Sequence, residues 1–147
     1  MQGSGLSLSS APGTYALLLR CDAHTTIQVG RWRELSVIPG YYIYIGSAFG
    51  PGGIRARVAC HWREDKQRHW HIDYLRDVTR MAGSLLNYSD DRLEHRWADQ
   101  LQACGELEAI PGFGCSDCRC QSHLFHTTDV RVLDGLEDLL HGETERI

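Results

Sequence analysis

Arg57 and His61 stand four residues apart, a spacing that sets both side chains on one face of a helix. A guanidinium offers planar, bidentate donors suited to phosphate. An imidazole one turn further on can share that phosphate or move a proton near neutral pH. The ordinary reading of the pair is an exposed helix arginine and a boundary histidine beside Trp62. A second constellation is Cys115-x2-Cys118-x-Cys120-x2-His123-x2-His126. Four of these five side chains suffice for tetrahedral Zn2+, with Cys118, Cys120 and His123 as the core of such a site. The spacing is compressed into one segment, whereas structural zinc sites take ligand pairs from two separated turns. The same residues also suit a tight loop with half-buried thiols, in which Asp117 bonds backbone amides. With three of the six cysteines crowded here, free thiols or a metal are expected rather than disulfides.

Charge is distributed unevenly. Residues 55–80 hold seven basic side chains against four acidic ones, in a chain whose net charge is −4. A net negative protein has no general pull toward nucleic acid. The local excess, with Arg55, Arg63, Lys66 and Arg68 at its centre, is nonetheless compatible with phosphate contacts. A solvated helix face of mixed sign gives the same composition.

These groups need elements to carry them. Thr14–Arg20 alternates as a short strand, and Ile27–Val29 with Glu34–Ile38 reads as an antiparallel pair leading to a strand at Tyr41–Ile45. In that strand Tyr42 and Tyr44 share one face and Tyr41 takes the other. Gly50-Pro51-Gly52-Gly53 is a turn. The helix after it, Ile54–Arg63, has Ile54, Val58 and Trp62 as its buried stripe. A helix begins near His69, where His69 and Asp73 are one turn apart, and Val78–Asn87 is a weak strand broken at Gly83. A further helix runs from about Asp91 to Ala103 with Leu93, Trp97 and Leu101 inward, and Asp91-x-x-Glu94 fits a capping box. Ile110–Cys120 is a loop, Val130–Leu140 a terminal helix, and the acidic end is frayed.

At 147 residues, 42% hydrophobic and 23% charged, this is one soluble domain. The expected division is a flexible tail over 1–11, the domain over 12–128, and a terminal helix with acidic tail over 129–147. No apolar run is bilayer-length, and the Gly/Ser-rich start does not read as a signal peptide, so a cytoplasmic location is expected.

Gly13-Thr14-Tyr15, then Tyr44-Ile45-Gly46, then Ile54-Arg55-Ala56-Arg57 resemble, in that order, the motifs of the GIY-YIG nuclease superfamily. The similarity is closer to an uncharacterised subgroup, sometimes joined to endonuclease III. It extends through Gly40–Gly53, His69-Trp70-His71-Ile72-Asp73-Tyr74-Leu75 and Gly112-Phe113-Gly114-Cys115-Ser116-Asp117-Cys118, covering roughly residues 12 to 127. The resemblance implies an α/β (α+β) fold, a small mainly antiparallel sheet flanked by helices, with Tyr15 and Tyr44 on neighbouring strands. It implies a metal-dependent endonuclease acting on DNA, in a setting such as DNA repair. Tyr15 would be the general base or water-positioning group, Tyr44 the second phenol, Arg57 the catalytic arginine with His61 beside it, and Glu94 the ligand of Mg2+ or Mn2+.

Two other functions stay open. Thr14 within the first half-motif and the 29 positions between Tyr15 and Tyr44 depart from the superfamily's pattern. Those departures suit a module that binds nucleic acid without cutting it. A small metal-binding protein built on the Cys118 cluster is the third.

Overall fold

The computed structural model describes residues 8–63, 70–114, 122–140 and 143–146. Its centre is β1 (Gly13–Cys21), in which every residue but Arg20 is buried. So apolar a run belongs to a strand covered on both faces. Tyr15, Leu17 and Leu19 join one core cluster, while Ala16 and Leu18 join the other. Each large apolar side chain so buried contributes about 1.5–3 kcal/mol.

The remaining strands are β2 (Thr25–Val29), β3 (Arg33–Val37), β4 (Gly40–Ala48), β5 (Arg80–Asn87), β6 (Glu108–Ala109), β7 (Leu124–Thr127) and β8 (Glu143–Arg146). Six strands form one sheet in the order β6-β7-β4-β1-β5-β8, and all its neighbours pair antiparallel. The fold is therefore α+β, as expected. The strand pair between the two tyrosine half-motifs does not extend this sheet. It stands as a separate hairpin, β2–β3, whose Val29, Leu35 and Val37 pack on the Tyr15 face.

Helix α1 (Gly53–Trp62) and helix α2 (His71–Arg76) cover that same face through Ile54, Val58, Ile72 and Leu75. Helix α3 (Glu94–Ala103), with α4 (Val130–Asp134) and α5 (Leu136–Leu140), covers the other through Trp97, Leu101, Leu133, Leu136 and Leu140. The first turn of α1 leaves amide donors without helical partners. Ile54 and Arg55 donate theirs to the carbonyls of Ala11 and Ser9.

Several expectations need correction. The leading segment is docked from Leu8 onward, since Leu8 is buried and its carbonyl accepts from Arg55 Nε at 2.9 Å. His61, not Trp62, completes the buried stripe of α1, because position i+7 from Ile54 points more squarely inward than i+8. The break in β5 is a bulge: Leu18 pairs with Gly83 and Leu19 with Met81, leaving Ala82 extra. Helix α3 begins at Glu94 with Leu93 as its cap, and no side chain closes a capping box there. The terminal helix is two short helices meeting at Gly135. The acidic end is not frayed, since Glu143–Arg146 pairs with β5.

Candidate active site

The Tyr15 face of the sheet brings the two half-motifs together. Tyr15 pairs in register with Gly46, and Leu17 with Tyr44, so both phenols rise from one face of adjacent strands. The Tyr15 ring lies directly over Gly46. A Cβ there would overlap the phenol oxygen, which is the local reason for glycine after Tyr44-Ile45. From α1 above, His61 Nε2 meets the Tyr15 hydroxyl at 2.7 Å. The His61 and Tyr44 rings meet edge to face at 6.2 Å.

Arg57, one turn earlier, is half-buried and rests its guanidinium over the Trp70 ring at 4.7 Å. It also bonds toward Tyr15 and favours the phenolate, but burial acts first and more strongly. Together with the charges of Tyr44 and Glu94, burial holds the Tyr15 phenol well above its ordinary value. The resting protein therefore carries Tyr15 as a neutral phenol, and the Arg57 guanidinium does not offset its burial. Tyr15 and His61 are each 1% exposed, whereas Tyr44 and Arg57 reach the surface. The site has a buried layer and an accessible layer.

Glu94 arrives from the first turn of α3. Thr14 helps to fix that turn, since its buried hydroxyl accepts from the Leu93 amide at 3.2 Å. The carboxylate bonds Ser47, at the end of β4, and His123, whose Nδ1 lies 2.8 Å from Oε2. Burial pushes the Glu94 carboxyl up, but the bonds to His123 and Ser47 and the nearby imidazoles outweigh it. The net direction is down, so Glu94 is a carboxylate at neutral pH.

His123 is thereby placed otherwise than expected. It is buried at 2% beside Glu94, its amide donates to Phe113 and its carbonyl accepts from Ile45. The sequence signal for this partnership is absent, because it takes both the pairing of β7 with β4 and the docking of α3 on the end of β4 to bring the two residues together. His126 turns away, with Nε2 2.9 Å from the Pro39 carbonyl. Cys118 and Cys120 lie outside the described residues, as do Lys66, Arg68 and the expected partner of Asp73, His69. Asp73 accepts from the Trp70 amide at 2.8 Å. Among the described residues, no group of three or more His, Cys, Asp or Glu side chains forms a metal cage. Cys21, Cys60 and Cys104 are free thiols.

The basic excess of residues 55–80 is partly structural. Arg55 bonds the Leu8 carbonyl, Arg76 the carbonyls of His61 and Thr79, and Arg80 pairs with Asp22. Arg63 is exposed just beyond α1.

Fold and site together define an α+β domain whose one sheet face gathers two tyrosines, an arginine and a histidine against a carboxylate from the next layer. The chain belongs to the family described as "Domain of unknown function DUF123", whose profile matches residues 14–143. No curated protein and no solved structure matches it. None of the described helices is long and apolar enough to cross a membrane.

Proposed function

We propose that this protein is a metal-dependent DNA endonuclease of the GIY-YIG class, hydrolysing phosphodiester bonds in the cytoplasm. The observation that carries the proposal is convergence at one phenol. Tyr44 rises beside Tyr15 from the same face of β4 and β1, His61 of α1 bonds the Tyr15 hydroxyl at 2.7 Å with Arg57 one turn away, and Glu94 comes from the first turn of α3. Structural packing alone gives no reason for a guanidinium, two phenols and an ionised carboxylate to meet at the boundary between core and surface.

Hydrolysis adds water across the P–O bond, hydroxide going to phosphorus and a proton to the leaving oxygen. Arg57 clamps the phosphate and offsets the charge that builds on it. Tyr44, which reaches the surface, orients the water or a phosphate oxygen. Tyr15 and His61 lie a layer deeper and act as a positioning pair. The neutral phenol and Nε2 hold each other through their 2.7 Å hydrogen bond, so Tyr15 orients the groups above it rather than serving as a resting base. Arg55 and Arg63 flank this centre, and phosphate contacts by Arg63, Lys66 and Arg68 belong to the same reading.

The residues present suit Mg2+ or Mn2+. Glu94 is ionised, 23% exposed and anchored by a hydrogen bond from His123, as ligating carboxylates commonly are. Such an ion, held by Glu94 and its own waters, would polarise the phosphate and lower the pKa of a bound water.

One observation favours a second reading, a module that holds nucleic acid without cutting it: Tyr15 is both buried and neutral. Incubation with supercoiled, branched and single-stranded DNA in Mg2+ or Mn2+, beside a binding titration, separates the two. Metal-dependent nicking supports the nuclease. Binding without cleavage on every substrate assigns the non-catalytic module.

A further inference from the structure

The hairpin β2–β3 has no part in the chemistry above, yet its turn folds against the site. Trp32 stacks on His71 with ring centroids 4.7 Å apart and planes 18° from parallel. Its edge contact with Phe113, at 5.7 Å, continues from Phe113 to Tyr44 at 6.0 Å. On the Trp32 ring lies the exposed Arg33 guanidinium, 4.2 Å from the centroid. Two further pairs of this kind lie beside residues of the same site. Arg57 covers Trp70, which is 37% exposed, and the exposed Arg92 covers Phe49 at 4.3 Å. Phe49 follows the end of β4 and Arg92 precedes Glu94 by two residues, so this third pair adjoins the carboxylate.

Energetically significant arginine–aromatic pairs occur about once per 70–80 residues, or about two in a chain of this length; here three of the four pairs among the described residues lie beside residues of one site. A planar guanidinium lying flat on a ring presents an outer face on which a base can stack, while its N–H groups reach phosphate. A base offers its π-face only where it is unpaired, since stacking within a duplex covers it. We propose that this rim of arginine–aromatic pairs binds unpaired nucleotides, so that the substrate is single-stranded DNA or a branched DNA with a single-stranded arm next to the cut. The inference rests on the nuclease reading and names its substrate class.

The test is fluorescence anisotropy of a labelled oligothymidine and of a duplex of equal length, titrated with the full chain across a series of salt concentrations. The wild type should bind the single strand more tightly than the duplex. Arg33→Gln combined with Arg92→Gln, both at exposed positions, should weaken single-strand binding about tenfold or more. It should also flatten the salt slope by about 1.4, or roughly 0.7 for each lost phosphate contact. Phe49→Leu should weaken binding with the salt slope unchanged, because it removes a stacking surface and no charge. If the double substitution lowers the melting temperature, Phe49→Leu and Arg33→Gln alone supply the comparison. Equal affinity for duplex and single strand, or variants that bind as the wild type does, would overturn this inference and leave the nuclease reading intact. A wild type that binds neither DNA would overturn both.

Discussion

The Tyr15 phenol and the Glu94 carboxyl are displaced in opposite directions, and each displacement ties stability to pH. Tyr15 is raised, chiefly by burial, so its contribution is fully present below the ordinary tyrosine value and is lost as pH rises past it. Glu94 is lowered because His123 and Ser47 outweigh the cost of its burial. Its contribution is present above the ordinary glutamate value and is lost as pH falls through the lower folded value. The urea midpoint of the wild type should therefore drop on acidification below the ordinary glutamate range. Glu94→Gln should remove part of that slope, and an identical acid limb in both proteins would contradict the Glu94–His123 bond. The shared face of Tyr42 and Tyr44 was legible in the alternation of β4, and so was the closeness of Arg57 and His61 within one helix turn. Their unequal burial was not, because it depends on how α1 lies on the sheet. The His123–Glu94 bond was hidden for a similar reason: two residues 29 positions apart meet only through tertiary pairing.

Among the elements, β1, β4, α1 and α3 were readable since each carries its period in its own side chains. The short strands were not. Two-residue β6 carries no pattern, and Leu124–Thr127 follows a stretch of sequence rich in cysteine and glycine. The acidic Glu143–Arg146 segment is a strand only because the β5 edge offers it a ladder. Glu94 also shows a local signal overridden. Its capping-box spacing from Asp91 is present in the sequence, yet Asp91 donates its amide to Ser89 and the helix starts later. The start of α3 depends instead on Thr14, the residue that departs from the first half-motif. Thr14→Val keeps the shape and removes the acceptor for the Leu93 amide, so it should cost about 1 kcal/mol in urea unfolding. It should also weaken Mn2+ binding at Glu94, measured by titration calorimetry, whereas Thr14→Ser should restore both. Equal stability and metal affinity for Val and Thr at this position would show that the bond does not position Glu94.

At the scale of the molecule, the sheet has a core on each face, with the chemistry on one and α3 reaching around from the other. Strand β8 closes the β5 side of the sheet. Ending the chain at residue 142 should leave the β5 edge unpaired, lower the urea midpoint and promote association seen by size-exclusion chromatography. A truncated protein as stable and monodisperse as the full chain would argue that β8 contributes little. The central claim joins Arg57 and Glu94 in one reaction, and Mg2+-dependent nicking of supercoiled DNA tests it most directly. Under the proposed function each group acts in the transition state, so Arg57→Ala and Glu94→Gln should each lower the nicking rate on the order of 100- to 1,000-fold, equivalent to about 2.7–4 kcal/mol of barrier. Arg57→Ala should also weaken DNA binding and reduce its salt slope by about one phosphate contact. Glu94→Gln should leave DNA binding intact and the fold in place, lowering the melting temperature at neutral pH only by the share that the ionised carboxyl contributes. Nicking by Glu94→Gln at the wild-type rate, or a wild type that binds DNA and never cuts it with Mg2+ or Mn2+, would contradict the account.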